Sequence, residues 1–236
     1  GIAEEWQVPQ DVLGWVLSME LIGMAVGSIL LGGMADRFGR RPTILGCLTV
    51  MGAGMLLVPT ATGVARLSLW RLLTGLGIGG MLAALNATVA EFSNARYRSL
   101  VLPLMVTGYP LGAFLGGMMA ANVLDASDWR GVFYLGAGLT IAAIPLTFFL
   151  IPETPDWLVD CRPVNALQRI NATLRRFRLP EAIELPEPSA DPRRSSIADI
   201  LRPPLLSRTL LLTLAYLTHV TAYYYFVKWI PKLVVD

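Results

Sequence analysis

Three ionisable side chains stand where an apolar chain has least reason to hold them. Glu20 lies about ten residues into "VLGWVLSMELIGMAVGSILL", Arg71 opens "RLLTGLGIGGMLAALNATVAEF", and His219, the single histidine, sits in "LLTLAYLTHVTAYYYF". At the middle of a bilayer a charged carboxylate costs roughly 2.5 to 3.5 kcal/mol on insertion scales, so Glu20 is either protonated or partnered. A carboxyl whose pKa burial has raised can load a proton at one face and release it when water or an opposing charge arrives. A neutral acid hydrogen-bonded between helices is the structural alternative. Arg71 is shallow enough to snorkel its guanidinium to the outer headgroups. His219 could relay a proton, or serve as a hydrogen-bonded core imidazole. Tyr223 shares its face one turn on and offers a ring for stacking. Asn86 falls about 60° from Arg71 around a common helix, whereas Glu91 falls about 200° away and belongs on another face. Tyr109, beside Pro110 in a glycine-lined helix, is placed to touch a ligand or simply to pack.

The elements that must hold these groups are set by the solvent. A hydrophobic fraction of 54%, with 15% charged residues, and a mean hydropathy of +0.56 exceed what a soluble core needs, which makes a bilayer the solvent. The net charge of +2 is scattered and excludes a nucleic-acid surface. Cys47 and Cys161 offer neither a disulfide framework nor metal-ligand spacing, so no metal is expected. "GIAEEWQVPQD" is acidic and lacks the features of a signal peptide. A spanning helix needs about 20 apolar residues. Such windows occur at about 11–34, 43–62, 66–91, 99–122, 131–151 and 209–230, which predicts six spans and an all-α, polytopic membrane helix bundle. The polar connection 152–208 forms a middle loop. Within it Ala166, Ile170, Leu174 and Phe177 stand at helical spacing opposite Arg169, Arg175 and Arg176, the pattern of an amphipathic helix on a membrane face or of a solvated linker helix.

Loop charge gives the orientation. Fourteen of the 19 lysines and arginines fall in the connections 35–42, 92–99 and 152–208, against Arg66 and Arg130 alone in the alternate ones. Positive loops resist translocation, so the first set is expected in the cytoplasm. Gly1 and Asp236 then lie outside, and a further span is expected before Gly1. The chain reads as a fragment.

The joint "GGMADRFGRRP" concentrates charge between the first two spans. Gly33 allows close helix approach, Asp36 and Arg40 can pair if the turn stays helical, Gly39 permits the reversal, and Pro42 suits a first helical turn. This stretch resembles the signature of the major facilitator superfamily between its second and third helices. The resemblance implies a truncated major facilitator fold in which the cluster touches the other half of a transporter and holds one conformation until substrate binds. "RLLTGLGIGGMLAALNATVAEFSNARYRSL" resembles the fourth helix, which implies that Arg71 faces a central cavity, able to hold a substrate carboxylate by two hydrogen bonds. It also implies that Glu91 pairs with the loop arginine Arg98. "GYPLGAFLGG" keeps glycines 108, 112, 116 and 117 of a fifth-helix antiporter signature, but Tyr109 and Ala113 replace its prolines, which argues against drug antiport. "PETPDWL" resembles the stretch after the sixth helix and "FVKWIPKLV" the end of the seventh. Together "RLLTGLGIGG", "AEFSNARYRS" and "KWIPKLV" look closest to the aromatic acid:proton symporter branch, whose members import benzoate-like and hydroxybenzoate-like acids.

The expected organisation is an N-terminal bundle at 1–151 lacking its first helix, a cytoplasmic middle loop at 152–208, and the first helix of a C-terminal bundle at 209–236. The expected activity is proton-coupled symport of a small aromatic carboxylate across a bacterial-type inner membrane. It would use the proton gradient and no cofactor or metal, in a protein that is a monomer when full length, with the lipid bilayer and the organic anion as partners. Glu20, Arg71, Asn86, Tyr109, His219 and Tyr223 are the substrate or proton pathway. Gly33, Asp36, Arg37, Gly39, Arg40, Arg41, Glu91 and Arg98 are the conformational gate. A sugar or other metabolite porter of the same superfamily is the first rival, and a non-transporting sensor or partner-binding subunit the second. An enzyme is disfavoured, for no His-Glu-x-x-His or nucleophile-elbow pattern occurs. "GLGIGG" matches a dinucleotide fingerprint in letters, but inside a membrane helix it reads as close helix packing. Tyr224, Tyr225 and Trp229, with Lys228 and Lys232, fit an outer aromatic and basic belt.

Overall fold

The computed structural model describes residues 5–94, 96–126, 128–185, 202–203 and 205–235. Within them lie eight α-helices and no strand: α1 Gln10–Phe38, α2 Arg40–Leu57, α3 Val64–Phe92, α4 Arg98–Ala126, α5 Trp129–Leu150, α6 Pro155–Cys161, α7 Ala166–Arg176 and α8 Leu205–Val235. Six of these, α1 to α5 and α8, are long and apolar enough to cross a membrane. The chain divides into two compact units, 1–188 and 189–236.

The polar loop expected at 35–42 is almost wholly helical. Helix α1 carries Asp36 and Arg37 in its last turn, and α2 begins at Arg40, leaving Gly39 alone between them. Gly39 has φ 109 and ψ 157, a backbone region essentially confined to glycine, and its N–H closes α1 on the carbonyl of Ala35 at 3.1 Å. The connection 92–99 likewise shortens to the residues between Phe92 and Arg98. In the middle segment Pro155 opens α6, where its missing N–H costs nothing, and α7 forms where the apolar spacing predicts it. Ala166 and Ile170 of α7 are buried against the protein, while Phe177 touches Phe92 at 6.0 Å and stays 54% exposed.

Helix α3 is the centre of the first unit because its glycines let backbones touch. Gly23 and Gly27 of α1 face Gly75 and Gly79 of α3 in reciprocal four-residue spacing. A Cβ at Gly23 or Gly27 would run into the carbonyls of Leu72 or Leu76, and one at Gly75 or Gly79 into those of Glu20 or Met24. On the other side of α3, a Cβ at Gly77 would meet Met51 Cγ at 2.6 Å and the Cys47 carbonyl at 2.8 Å, both on α2. Lipid tails are as apolar as leucine, so membrane helices associate through dispersion at close range, which small residues permit. The stretch "GLGIGG" is thus a two-sided packing stripe. Gly33, by contrast, has open space where a Cβ would stand, so the close approach expected there is not made among the described residues. The same holds for glycines 108, 112, 116 and 117 of α4, a helix with none of its apolar window buried.

Candidate functional site

The glycine contacts set the register of the central pair. Because the Glu20 carbonyl seats on Gly75, one turn beyond Arg71, the two long side chains lie within reach across the α1–α3 seam. Arg71 Nη2 donates to Glu20 Oε2 at 2.5 Å, with the side chains 16% and 21% exposed. Glu20 therefore has the partner that its depth in the span demands. Arg71 is held inward as well, its guanidinium 5.7 Å from the ring centroid of Phe133 on α5. That ring continues outward by edge contacts to Trp129 at 5.9 Å and from Trp129 to Trp6 at 6.0 Å.

Asn86 and Tyr109, the other pathway candidates of the first unit, make no hydrogen bond with this pair. Asn86 is exposed and donates to the Leu82 carbonyl of its own helix at 2.8 Å. Tyr109 is 51% exposed on α4. His219 and Tyr223 are exposed one turn apart on α8, within the second unit. The side chains of Tyr224, Lys228, Trp229 and Lys232 lie outside the described residues.

At the other end of the bundle Arg40 gathers the charges of the joint. Its Nη1 donates to Asp36 at 2.5 Å, while Nη2 and Nε both reach Glu91 Oε1, at 2.7 and 3.1 Å. The Asp36 pair is made, but across the break at Gly39 rather than within a continuous helix. The expected Glu91 to Arg98 pair is not made. Arg98 starts a new helix and reaches back to the Ser93 carbonyl at 3.5 Å, while Arg40 enters from α2 and fills Glu91 Oε1. Glu91 Oε2 is buried without a partner. Arg37 stacks on neighbouring Phe38 at 5.6 Å, and Arg41 lies 4.6 Å from the Phe148 ring, donating to the Phe148 carbonyl at 2.5 Å.

A carboxylate far along the chain completes this end. Glu153 Oε1 accepts the backbone N–H groups of Arg40 at 2.8 Å, Arg41 at 3.2 Å and Thr154 at 3.2 Å, and the residue is 5% exposed. It thereby caps α2, whose own cap residue Gly39 has no side chain to offer. A Cβ at Gly39 would strike the Glu153 carboxylate. Trp157 Nε1 donates to the Asp36 carbonyl at 3.0 Å, so "PETPDWL" staples both sides of the joint. Asp156 stands among the same groups: burial first, then the charges of Glu91 and Asp160, push its pKa up against the pull of Arg98 and Arg40. Sequence reasoning singled out this stretch but gave Glu153, Asp156 and Trp157 no role. The available signal was a helix start without an acceptor of its own.

A third cluster closes the opposite end. Glu5 accepts from Arg130 Nη2 at 2.7 Å and from Trp129 Nε1 at 2.7 Å, and Arg130 Nη1 donates to Asp128 at 2.5 Å. Hydrogen bonds from Arg130 and then Trp129 hold the Glu5 carboxyl down at about 2. The tie between residue 5 and the start of α5 had no local signature.

Comparisons with known proteins accord with this geometry. A family model described as the Major Facilitator Superfamily matches residues 1–236. The 4-hydroxybenzoate transporter PcaK of Pseudomonas putida is 30% identical over 238 residues, covering 100% of this chain and 53% of the relative. The gallate transporter of Pseudomonas putida is 29% identical with the same coverage, and the 3-(3-hydroxy-phenyl)propionate transporter of Escherichia coli is 28% identical over 100% of this chain and 51% of its own length. The chain thus spans about half the length of these curated relatives. Among solved structures, the proton:xylose symporter XylE bound to 6-bromo-6-deoxy-D-glucose superposes with a TM-score of 0.62 over 71% of this chain and 40% of that one, at 20% identity, a likeness of fold.

Proposed function

The chain belongs to the Major Facilitator Superfamily, and from that premise we propose that it is part of a secondary active carrier which couples the entry of a small aromatic carboxylate to protons. It is a multi-pass membrane protein of a transporter family and not an enzyme. The observation that carries the proposal is the half-buried Arg71–Glu20 pair, read beside relatives whose names give hydroxybenzoate, gallate and hydroxyphenylpropionate as cargo. A neutral sugar carries no anionic group to match that guanidinium.

The chemistry follows from competition for one cation. With Glu20 ionised, Arg71 is satisfied internally and a substrate carboxylate gains little by displacing it. Protonation of Glu20 removes the internal anion and leaves a desolvated guanidinium whose planar fork matches an incoming carboxylate. Phe133, already on the Arg71 guanidinium, offers an aromatic wall for the ring of the same ligand. Loss of the proton to the cytoplasm restores the internal pair and expels the anion. Alternating access would come from two six-helix bundles rocking about this depth, with Arg40, Asp36, Glu91 and Glu153 latching one state. Asn86, Tyr109, His219 and Tyr223 are further contacts for cargo or proton in this reading. The protein would sit in a bacterial-type inner membrane, with 35–42, 92–99 and 152–208 cytoplasmic, acting as a monomer without cofactor or metal.

Uptake of labelled 4-hydroxybenzoate into proteoliposomes containing the full-length protein tests this. A rate that rises with an inward proton gradient and falls at least about tenfold in Arg71→Gln is expected, the loss of one charge-assisted pair. Uptake indifferent to the gradient would sink the coupling.

A further inference from the structure

Two adjoining cavities, of about 250 and 310 Å³, open beside the joint and share Arg41, Glu153 and Arg169. The first is completed by Thr173 and Arg176, the second by Phe38, Leu45, Phe148 and Trp157. The groove therefore has a cationic half and an apolar half.

The cationic half is assembled by α7. Arg169, Thr173 and Arg176 stand at i, i+4 and i+7 on one stripe of that helix, and burial of Ala166 and Ile170 on its apolar side fixes the stripe toward the cavity. Arg175, on a different stripe, pairs with Glu181 at 3.1 Å. Among the described residues no carboxylate makes an ion pair with Arg41, Arg169 or Arg176. Their recorded bonds go to main-chain carbonyls, Arg41 to Phe148 at 2.5 Å and Arg176 to Phe149 at 3.4 Å, and Arg41 Nε is buried without any partner. Glu153, the one acid lining the groove, has its carboxylate engaged by three backbone N–H groups. Three guanidiniums thus face one engaged carboxylate, a donor set that fits a phosphate oxyanion.

The apolar half decides the source of that phosphate. Phe38 is 54% and Phe148 49% exposed, and Leu146 and Phe149, at 60% and 75%, continue the apolar surface of α5. A free phosphate ion has no use for such a wall, whereas a phospholipid lays its acyl chains along it. We propose that the groove formed by Arg41, Arg169, Arg176, Phe38 and Phe148 seats an anionic phospholipid, with its phosphodiester on the arginines and its chains on the aromatic side. Occupancy would tie α7 to α2 and α5 across the joint. The inference requires a chain that spans a bilayer and does not depend on what it carries.

Native mass spectrometry of the full chain in detergent, titrated with phosphatidylglycerol, phosphatidylcholine or inorganic phosphate, tests the assignment. Phosphatidylglycerol should be retained at least about tenfold over phosphatidylcholine, as expected when charge-assisted bonds are made to one ligand only. The double variant Arg169→Gln/Arg176→Gln should lose that preference, while Arg178→Gln, which removes a neighbouring charge outside the groove, keeps it. Each single variant, Arg169→Gln and Arg176→Gln, should show part of the loss, which carries the test should the double variant not fold. Equal retention of the two lipids, an unchanged preference in the double variant, or displacement of lipid by millimolar inorganic phosphate would each overturn the proposal. Lipid retention is read without transport, so its failure and a failure of uptake are separate results.

Discussion

The carboxylate of Glu153 caps the helix that begins at Arg40, 113 positions earlier in the chain, with Oε1 2.8 Å from the Arg40 nitrogen. The same carboxylate fills the space where a side chain at Gly39 would stand. The joint is therefore closed by a residue of the segment that follows α5, and its glycine is required by both torsion and space.

Glu153→Ala should lower stability by about 0.5 to 2 kcal/mol, the usual cost of losing a cap. Gly39→Ala should cost about 1 to 3 kcal/mol from its torsion alone, with the collision added. Gly33→Ala, where a Cβ meets nothing, should lie within about 0.5 kcal/mol of wild type. Thermal unfolding in detergent checks the ordering, and equal midpoints for the two glycine variants would refute it.

Glu20 and Arg71 should be energetically coupled. Removing one partner leaves the other charge half-buried and unpaired, at a cost below the roughly 3 to 5 kcal/mol of a fully buried pair, whereas removing both is milder. Glu20→Gln/Arg71→Gln should thus be more stable than the sum of the single variants implies, by a double-mutant cycle on unfolding midpoints. Strict additivity would show that the pair does not act as one. In transport, Glu20→Gln should flatten the dependence of uptake on the proton gradient.

Asp36→Asn should impair the maximal rate of uptake more than the apparent affinity, because Asp36 sits with Arg40 at the opposite end from Arg71. Glu91→Gln should be the more severe, since Glu91 is 16% exposed against 73% for Asp36 and takes two of the Arg40 bonds. Arg98→Gln, which loses only a 3.5 Å bond to a carbonyl, should be the mildest. A change confined to affinity would remove these residues from the latch.

The Glu5 tie should be insensitive to pH over the physiological range. Its carboxyl is held at about 2, against 4.5 unperturbed, so its contribution is complete above about 4.5 and is lost as pH falls toward 2. The difference in unfolding midpoint between wild type and Glu5→Gln should accordingly stay flat from pH 5 to 8 and shrink below pH 4.5. Asp156 has the opposite sign: its raised pKa means that ionisation opposes folding as pH rises through it, so Asp156→Asn should raise the midpoint at neutral pH. A difference for Glu5→Gln that persists unchanged down to pH 2 would contradict the first of these.

Much of the fold was legible in the sequence because its causes are local. Six apolar runs of spanning length and the clustering of arginine in alternate connections need no tertiary information. The resemblance of "GGMADRFGRRP" to a family signature was legible for the same reason. So was the packing role of "GLGIGG", since glycines four apart in an apolar helix have few other uses.

Partnership was not legible. Membrane helices are apolar on every side, so the sequence leaves their rotation open, and which groups meet is decided by where the glycines let backbones close. The α1–α3 seam gave Glu20 its partner and turned the Arg71 guanidinium toward it. The approach of α2 to α3 handed Glu91 to Arg40 instead of Arg98, and the return of the chain after α5 supplied the cap at Glu153. Sequence alone determined the kind of protein and the residues able to do chemistry, through hydropathy, charge and spacing. Tertiary structure alone decided which of them act together, because a desolvated charge takes the partner that helix register places within reach.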